Sequence, residues 1–488
     1  MMIKKYLVLF TILCTLALSA QEYFPKNDGV VATNTNYTAI TNAKIFITPN
    51  QVIESGTLLI KDSKIVASGT SVIIPKNSVI IDIKGKSIYP SFIDLYSDFG
   101  VEKPKRPTSR GRTAQYDASR TGYYWNDHVM PENKAIDKFK YDSKAASELL
   151  KVGFGVVNTH IQNGVVRGTG TLIALNNDSG NEYRVIDDAS GQYLSFSKSV
   201  ASSQSYPSSI MGSIALLRQT YIDAKWYQTK PVSEGVNLSL DAWNNNQAIP
   251  QIFATDDKWN AVRADRMGDE FGVQYIIKGG DNGYQRIDEI VKTKAAYILN
   301  VDFPDAMDVE DPNDARFVSL SDMKHWELAP TNLAAFEKAN VSFSISSTDL
   351  RDSKTFLANI KKAIRYGLSE SKALEALTKT PATMLGVYDQ VGSLEAGKWA
   401  NFIITTEPVF ASNAKIIENW VQGNKYEVTS SEWNNYAGKY KLSLNVGGTN
   451  TDYNLEVKKD LSASIIGADT LMAKVTINES LVKISFPN

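Results

Sequence analysis

The 488-residue sequence predicts an α/β protein: a parallel sheet with helices outside it, open or closed into a barrel, with β segments on both flanks. Three observations predict this. From about residue 141 a helical pattern followed by an apolar strand recurs along the chain. Residues 38–88 are short β-branched runs punctuated by "PN", "SG", "KDSK", "SGT" and "PKN", the mark of a small antiparallel β unit. After Trp433 the chain returns to β alternation in "YKLSLNV", "YNLEVKK", "AKVTI" and "VKISFPN".

Taken in order, the first element is not part of the fold. "MMIKKYLVLFTILCTLALSA" places Lys4 and Lys5 ahead of an apolar run too short and wrongly flanked for a stable membrane span. It reads as a secretory leader over residues 1–20, cut after Ser19 or Ala20. Cys14, the only cysteine, lies inside it, and the preceding "TIL" lacks the small residue of a lipoprotein signal. The mature chain is therefore expected to be cysteine-free, exported to the periplasm or secreted, and held together without disulfides. No later apolar stretch approaches about 18 residues, so no membrane span is expected. A net charge of -1 gives no general attraction to nucleic acid or to an anionic membrane.

Within the barrel region, "DSKAASELLKVG" has helical spacing and ends at Gly153 and Gly155, and "GVVNTH" follows as a buried strand. The unit recurs as "AVRADRMGDEFG" with "VQYIIKGG", "GYQRIDEIVKTK" with "AAYILNV", and "NLAAFEKAN" with "VSFSISSTD". Residues 101–140 break the rhythm, being basic, tyrosine-rich and punctuated by Pro and Gly. They read as a long loop after the first barrel strand, either a solvated excursion or a lid whose "YYW" at 123–125 stacks on a ligand.

"LSESKALEALTKTPATMLGVYDQVGSLEAGKWANFIIT", residues 368–405, strongly resembles the C-terminal signature of the amidohydrolase superfamily. The matching residues are Thr378, Pro381, Ala382, Leu385, Gly386, Gly392, Ser393, Leu394, Gly397, Lys398 and Ala400, with Asn401 where the family usually has aspartate. Local physics agrees: Ser369 can cap a helix with Glu370 in its first turn, and Gly392 and Gly397 supply turns. The run "NAKIF", "GTLLIKDSKIVASGT", "IIPKNSVIIDIKGKSIYPSFID" resembles the family's opening β unit and first barrel strand. The resemblance covers about residues 38–426. It implies a (β/α)8 TIM barrel over 89–389, a composite β domain from 33–88 and 390–427, and an extra β extension at 431–488, either a small appended domain or the start of something longer.

In active relatives the first strand ends H-x-H, strands five and six each end in a histidine, and strand eight ends in an aspartate. Many members add a carboxylated lysine from strand four. A bound metal lowers the pKa of a water, and the strand-eight aspartate shuttles its proton. Here the resemblance puts Tyr96 and Asp98 at the first pair, Thr255 at strand five, Gly279 at strand six and Asp349 at strand eight, and no strand-four lysine is assignable. Only His128, His160 and His325 exist in the chain, so four imidazole ligands cannot be assembled.

Asp349 is the one catalytic candidate, although an aspartate there can also cap the next helix. Asp94, Tyr96, Asp98, His160, Thr255, Asp256, Lys278 and Gly279 form the candidate ligand pocket. His160 is a rim residue at the end of strand two, Asp94 organises backbone, and Lys278 is either ion-paired or an anion contact. The expectation is an inactive binding or structural module with no cofactor. Two alternatives stand beside it. One is a divergent hydrolase of C–N bonds using a divalent metal (Zn, Mg or Mn) on oxygen ligands from Asp98, Asp256 and Asp349. The other is an inactive half that pairs with an active amidohydrolase barrel. A small molecule or peptide is the expected ligand, and an oligomer fits the family.

Overall fold

The computed structural model describes residues 36–107, 121–177, 180–233, 235–429, 438–446, 449–458, 462–466, 470–478 and 481–485. The expected leader and Cys14 lie outside the described residues. β1 (Thr38–Thr48), β2 (Gln51–Lys61) and β3 (Lys64–Gly69) run antiparallel. The β2–β3 turn is tight because Asp62 and Ser63 both take positive φ, 48° and 68°, which matches the twist of the strands it joins. β4 (Val79–Asp82) and β5 (Ser87–Pro90) pair with β1 in parallel, so the N-terminal unit is not wholly antiparallel as its turns suggested.

β5 also pairs antiparallel with β14 (Phe402–Thr405), which leads through β15 (Ile416–Val421) to β16 (Asn424–Glu427). One sheet thus joins two segments more than 300 residues apart, sealed by Ile45, Leu58, Ile60, Ile88, Phe402 and Trp420. Phe402 and Trp420 stack with ring centres 5.2 Å apart.

The second sheet is the barrel expected from the resemblance. Its eight strands are β6 (Phe92–Ser97), β7 (Phe154–Thr159), β8 (Val166–Ala174), β9 (Val185–Ser195), β10 (Gln251–Ala254), β11 (Ile276–Lys278), β12 (Ala296–Asn300) and β13 (Phe343–Ser346). The alternation departs from the uniform parallel expectation at one place: β8 runs antiparallel to both β7 and β9, while the other adjacent pairs in the series are parallel. Only five residues, 161–165, and His160 separate β7 from β8, too few for the helical crossover that a parallel partner needs. The gap between β13 and β6 is bridged by side chains, Ser346 Oγ donating to Asp94 at 2.6 Å and to the Tyr96 carbonyl at 3.3 Å.

Helices pack outside the barrel with their own stop and start signals. Asp142 caps Ser143–Lys151, Asp257 caps Lys258–Phe271, and Ser369 caps Glu370–Leu377. Gly392 holds φ 90° where a Cβ would lie 2.8 Å from the Ala382 Cβ, which explains that glycine of the signature. No helix among the described residues is long and apolar enough to cross a membrane. The last strands, β17 (Gly438–Val446), β18 (Thr449–Val457), β19 (Ser462–Ile466), β20 (Thr470–Asn478) and β21 (Leu481–Ser485), form a separate antiparallel meander.

The segment 101–140 is solvated in its first described part and packed against the barrel in its second. Glu102, Lys103 and residues 105–107 are exposed, as a solvated excursion would be, whereas further on Tyr124 is buried, its hydroxyl donating to Asp223 at 2.7 Å, and Trp125 stacks on Tyr206. Val129 and Lys134 bridge to β8. Residues 108–120 of this segment lie outside the described residues.

Candidate functional site

Strand alternation sends Asp94 and Tyr96 of β6 to one face. Asp94 is fully buried and takes four hydrogen bonds: from Tyr96 N at 3.0 Å, Ser346 Oγ at 2.6 Å, Ser347 N at 3.0 Å and Ser347 Oγ at 2.6 Å. Burial pushes its pKa up, against the pull of those donors. Its oxygens are spent on closing the barrel seam.

Tyr96 stands above it. Its hydroxyl accepts from Arg167 Nη1 at 2.7 Å, and its ring meets His160 edge-on at 4.5 Å. His160, also buried, stacks on Tyr193 with centroids 3.6 Å apart. Burial, and then the charge of Arg167, hold the His160 imidazole well below its ordinary pKa, so it is neutral at pH 7. Across the mouth, Lys278 Nζ lies 2.7 Å from Asp349 Oδ2, which also accepts from Asn300 Nδ2 at 2.8 Å. Burial opposes ionisation of Asp349, but the Lys278 ammonium and the Asn300 amide outweigh it and hold the carboxyl below the usual range. Asp349 takes φ 70°, a left-handed conformation uncommon for aspartate. It does not cap the next helical turn; Asp352 does that.

The remaining candidates do not converge on this centre. Asp98 is half-exposed and pairs with Lys103 at 3.3 Å, lining a small cavity of 220 Å³ with His160 and Gln162. Thr255 is buried and its hydroxyl donates to the Lys278 carbonyl at 2.8 Å. Asp256 accepts from Asn260 Nδ2 at 2.7 Å. At Gly279 a Cβ would make only ordinary contacts, so no steric demand fixes glycine there.

The metal site that the resemblance implies can be tested on these donors, and they do not fit it. Among the described residues no three His, Cys, Asp or Glu side chains group as a metal site. Asp98, Asp256 and Asp349, the proposed oxygen ligands, are each engaged elsewhere, and the last already faces an ammonium. A dication beside Asp349 would also have to displace or tolerate Lys278.

Sequence reasoning missed Arg167, Tyr193, Asn300 and the serine pair Ser346 and Ser347. Arg167 had a visible signal, the lone cation in "NGVVRGTGTLIAL". A parallel third strand would carry its early residues to the closed end of the barrel. Reversal of β8 brings them to the mouth instead.

The amidohydrolase family profile matches residues 304–429. Comparison with curated protein sequences gave no match. Among solved structures, an amidohydrolase from Thermotoga maritima MSB8 superposes with a TM-score of 0.63 at 20% identity, covering 80% of this chain and 100% of that one. A β-aspartyl dipeptidase from Fervidobacterium islandicum AW-1 gives 0.46 at 15% identity, over 80% of this chain and 97% of that one. The first of these supports the fold; the second adds no argument.

Proposed function

We propose that the chain is a member of the amidohydrolase superfamily, as the profile match over residues 304–429 and the shared barrel fold support, and that its barrel is an exported, non-hydrolytic module that binds a small ligand at the mouth. The observation that carries this is the ion pair Lys278–Asp349. The aspartate expected to shuttle a proton is instead the partner of a fixed cation, and a carboxylate held ionised by an ammonium is a poor proton acceptor. The chemistry of the other family positions supports the same reading, since Tyr96, Thr255 and Gly279 offer no imidazole. The leader-like start, with Lys4 and Lys5 before the apolar run, supports export.

The test combines metal analysis by plasma mass spectrometry with hydrolysis assays on dipeptides and cyclic amides, using wild type and Asp349→Asn. Far less than one metal per chain and no hydrolysis separating the two proteins are expected. One equivalent of bound metal together with hydrolysis lost in Asp349→Asn would overturn the proposal. N-terminal sequencing of the protein recovered from the cell exterior or periplasm tests export; an intact Met1 on cytoplasmic protein would refute it.

A further inference from the structure

Arg167 carries a buried charge for which the described residues supply no anion. Its side chain is almost wholly buried, yet no carboxylate among the described residues lies within ion-pairing distance. Buried ions are ordinarily paired, because desolvation of an isolated charge is costly. Nε donates to the Gly164 carbonyl at 3.2 Å, and Nη1 donates to Tyr96 Oη at 2.7 Å and faces His160 Nε2 at 3.5 Å. Nη2 has no acceptor among the described residues. Tyr96, having accepted from Arg167, keeps its own hydroxyl proton unspent.

The neighbours do not neutralise this charge. His160 is neutral, and a ring nitrogen facing a guanidinium N–H presents its lone pair, which leaves the proton on Nδ1, buried and unpartnered. Lys278 and Asp349 cancel one another. Asp94, two residues from Tyr96 on the same face, spends both oxygens on Ser346, Ser347 and the Tyr96 amide. What remains is one guanidinium edge and one phenolic O–H side by side, walled by the stacked His160 and Tyr193 rings.

The geometry points to a carboxylate-binding site: Arg167 Nη2 and the Tyr96 hydroxyl together receive the carboxylate of a small organic acid at the barrel mouth. The guanidinium fork matches a planar carboxylate, and a single unbalanced charge suits a monoanion better than a phosphate dianion. The inference rests on the reading of the mouth as a ligand site and holds whether or not any bond is cleaved there.

The test is calorimetric titration of the full mature chain, in chelator, with N-acetylglycine, with its uncharged analogue N-acetylglycinamide, and with inorganic phosphate. N-acetylglycine is expected to saturate one site, the amide to bind at least tenfold more weakly, and phosphate more weakly than the carboxylate. Arg167→Gln is expected to lose at least tenfold in affinity and Tyr96→Phe three- to tenfold, with far-UV circular dichroism unchanged. Should Arg167→Gln fail to fold, Tyr96→Phe keeps the ring in place and reads the same site. Equal binding of acid and amide, tighter binding of phosphate, no saturable binding, or wild-type affinity in folded Tyr96→Phe would each overturn the inference. Because the titration is run without available metal, it is independent of the metal and hydrolysis results that test the non-hydrolytic reading.

Discussion

Replacing Lys278 with methionine keeps most of the stem and removes the ammonium that lies 2.7 Å from Asp349 Oδ2. The Lys278 side chain is 11% exposed and that of Asp349 45%, which places the pair between two measured classes. Breaking a buried pair on one side costs about 3–5 kcal/mol, whereas an exposed pair is worth about 0.2–1 kcal/mol. With one partner buried and the other half in water, a loss of about 2 kcal/mol is expected at pH 7. Asn300 continues to donate to the carboxylate and limits the cost.

The sign with pH follows from Asp349. Its folded-state pKa lies below the unfolded value, so the pair's contribution is present above the unfolded pKa and disappears as pH falls through the folded one. Urea unfolding of wild type and Lys278→Met should therefore differ by about 2 kcal/mol at pH 7 and converge in strong acid. Adding Asp349→Asn to Lys278→Met should recover much of the loss, because the stranded charge is gone. A variant as stable as wild type at pH 7, or a double mutant with strictly additive losses, would refute the argument that these groups are energetically one unit.

Ser346→Ala removes a 2.6 Å donor from buried Asp94 and is expected to cost about 1–3 kcal/mol in urea unfolding; an unchanged midpoint would show that the seam bond is dispensable. His160 stays neutral in the folded chain well below its ordinary pKa, whereas the unfolded chain takes up that proton near pH 6.5. Stability should thus fall as pH drops below about 6.5, by at most about 1.4 kcal/mol per pH unit from this residue, and His160→Phe should flatten that limb. Gly392→Ala combines φ 90° with a 2.8 Å approach to Ala382 and should cost about 2–4 kcal/mol by the same assay. Tyr124→Phe should lower stability by about 1.5 kcal/mol through loss of the Asp223 bond, while N-acetylglycine affinity stays at the wild-type value. A change in affinity would restore a ligand-contacting role to the 123–125 segment.

Local patterns were enough to place the elements whose stabilising signals lie within a few residues. The helices at Ser143–Lys151 and Lys258–Phe271 carry their own caps and apolar spacing, and β10, β11, β12 and β13 follow helices as short apolar runs. The ordered signature from Thr378 to Ala400 added the barrel, and with it the strand ends at Tyr96, Thr255, Gly279 and Asp349. Absence of enough histidines for the family's ligand set is likewise a property of composition alone.

Tertiary structure decided what depends on strand direction and on distant partners. Reversal of β8 cannot be read from its apolar run, because a buried strand shows the same pattern in either direction, yet that reversal carries Arg167 to the mouth. Partners 71 residues apart, Lys278 and Asp349, meet only when the barrel curls, and so do Asp94 and Ser346, separated by 252. Sequence determined which side chains were present and which strands they would end. Closure of the sheet decided which charges were matched, since pairing depends on distances through space that spacing along the chain does not encode.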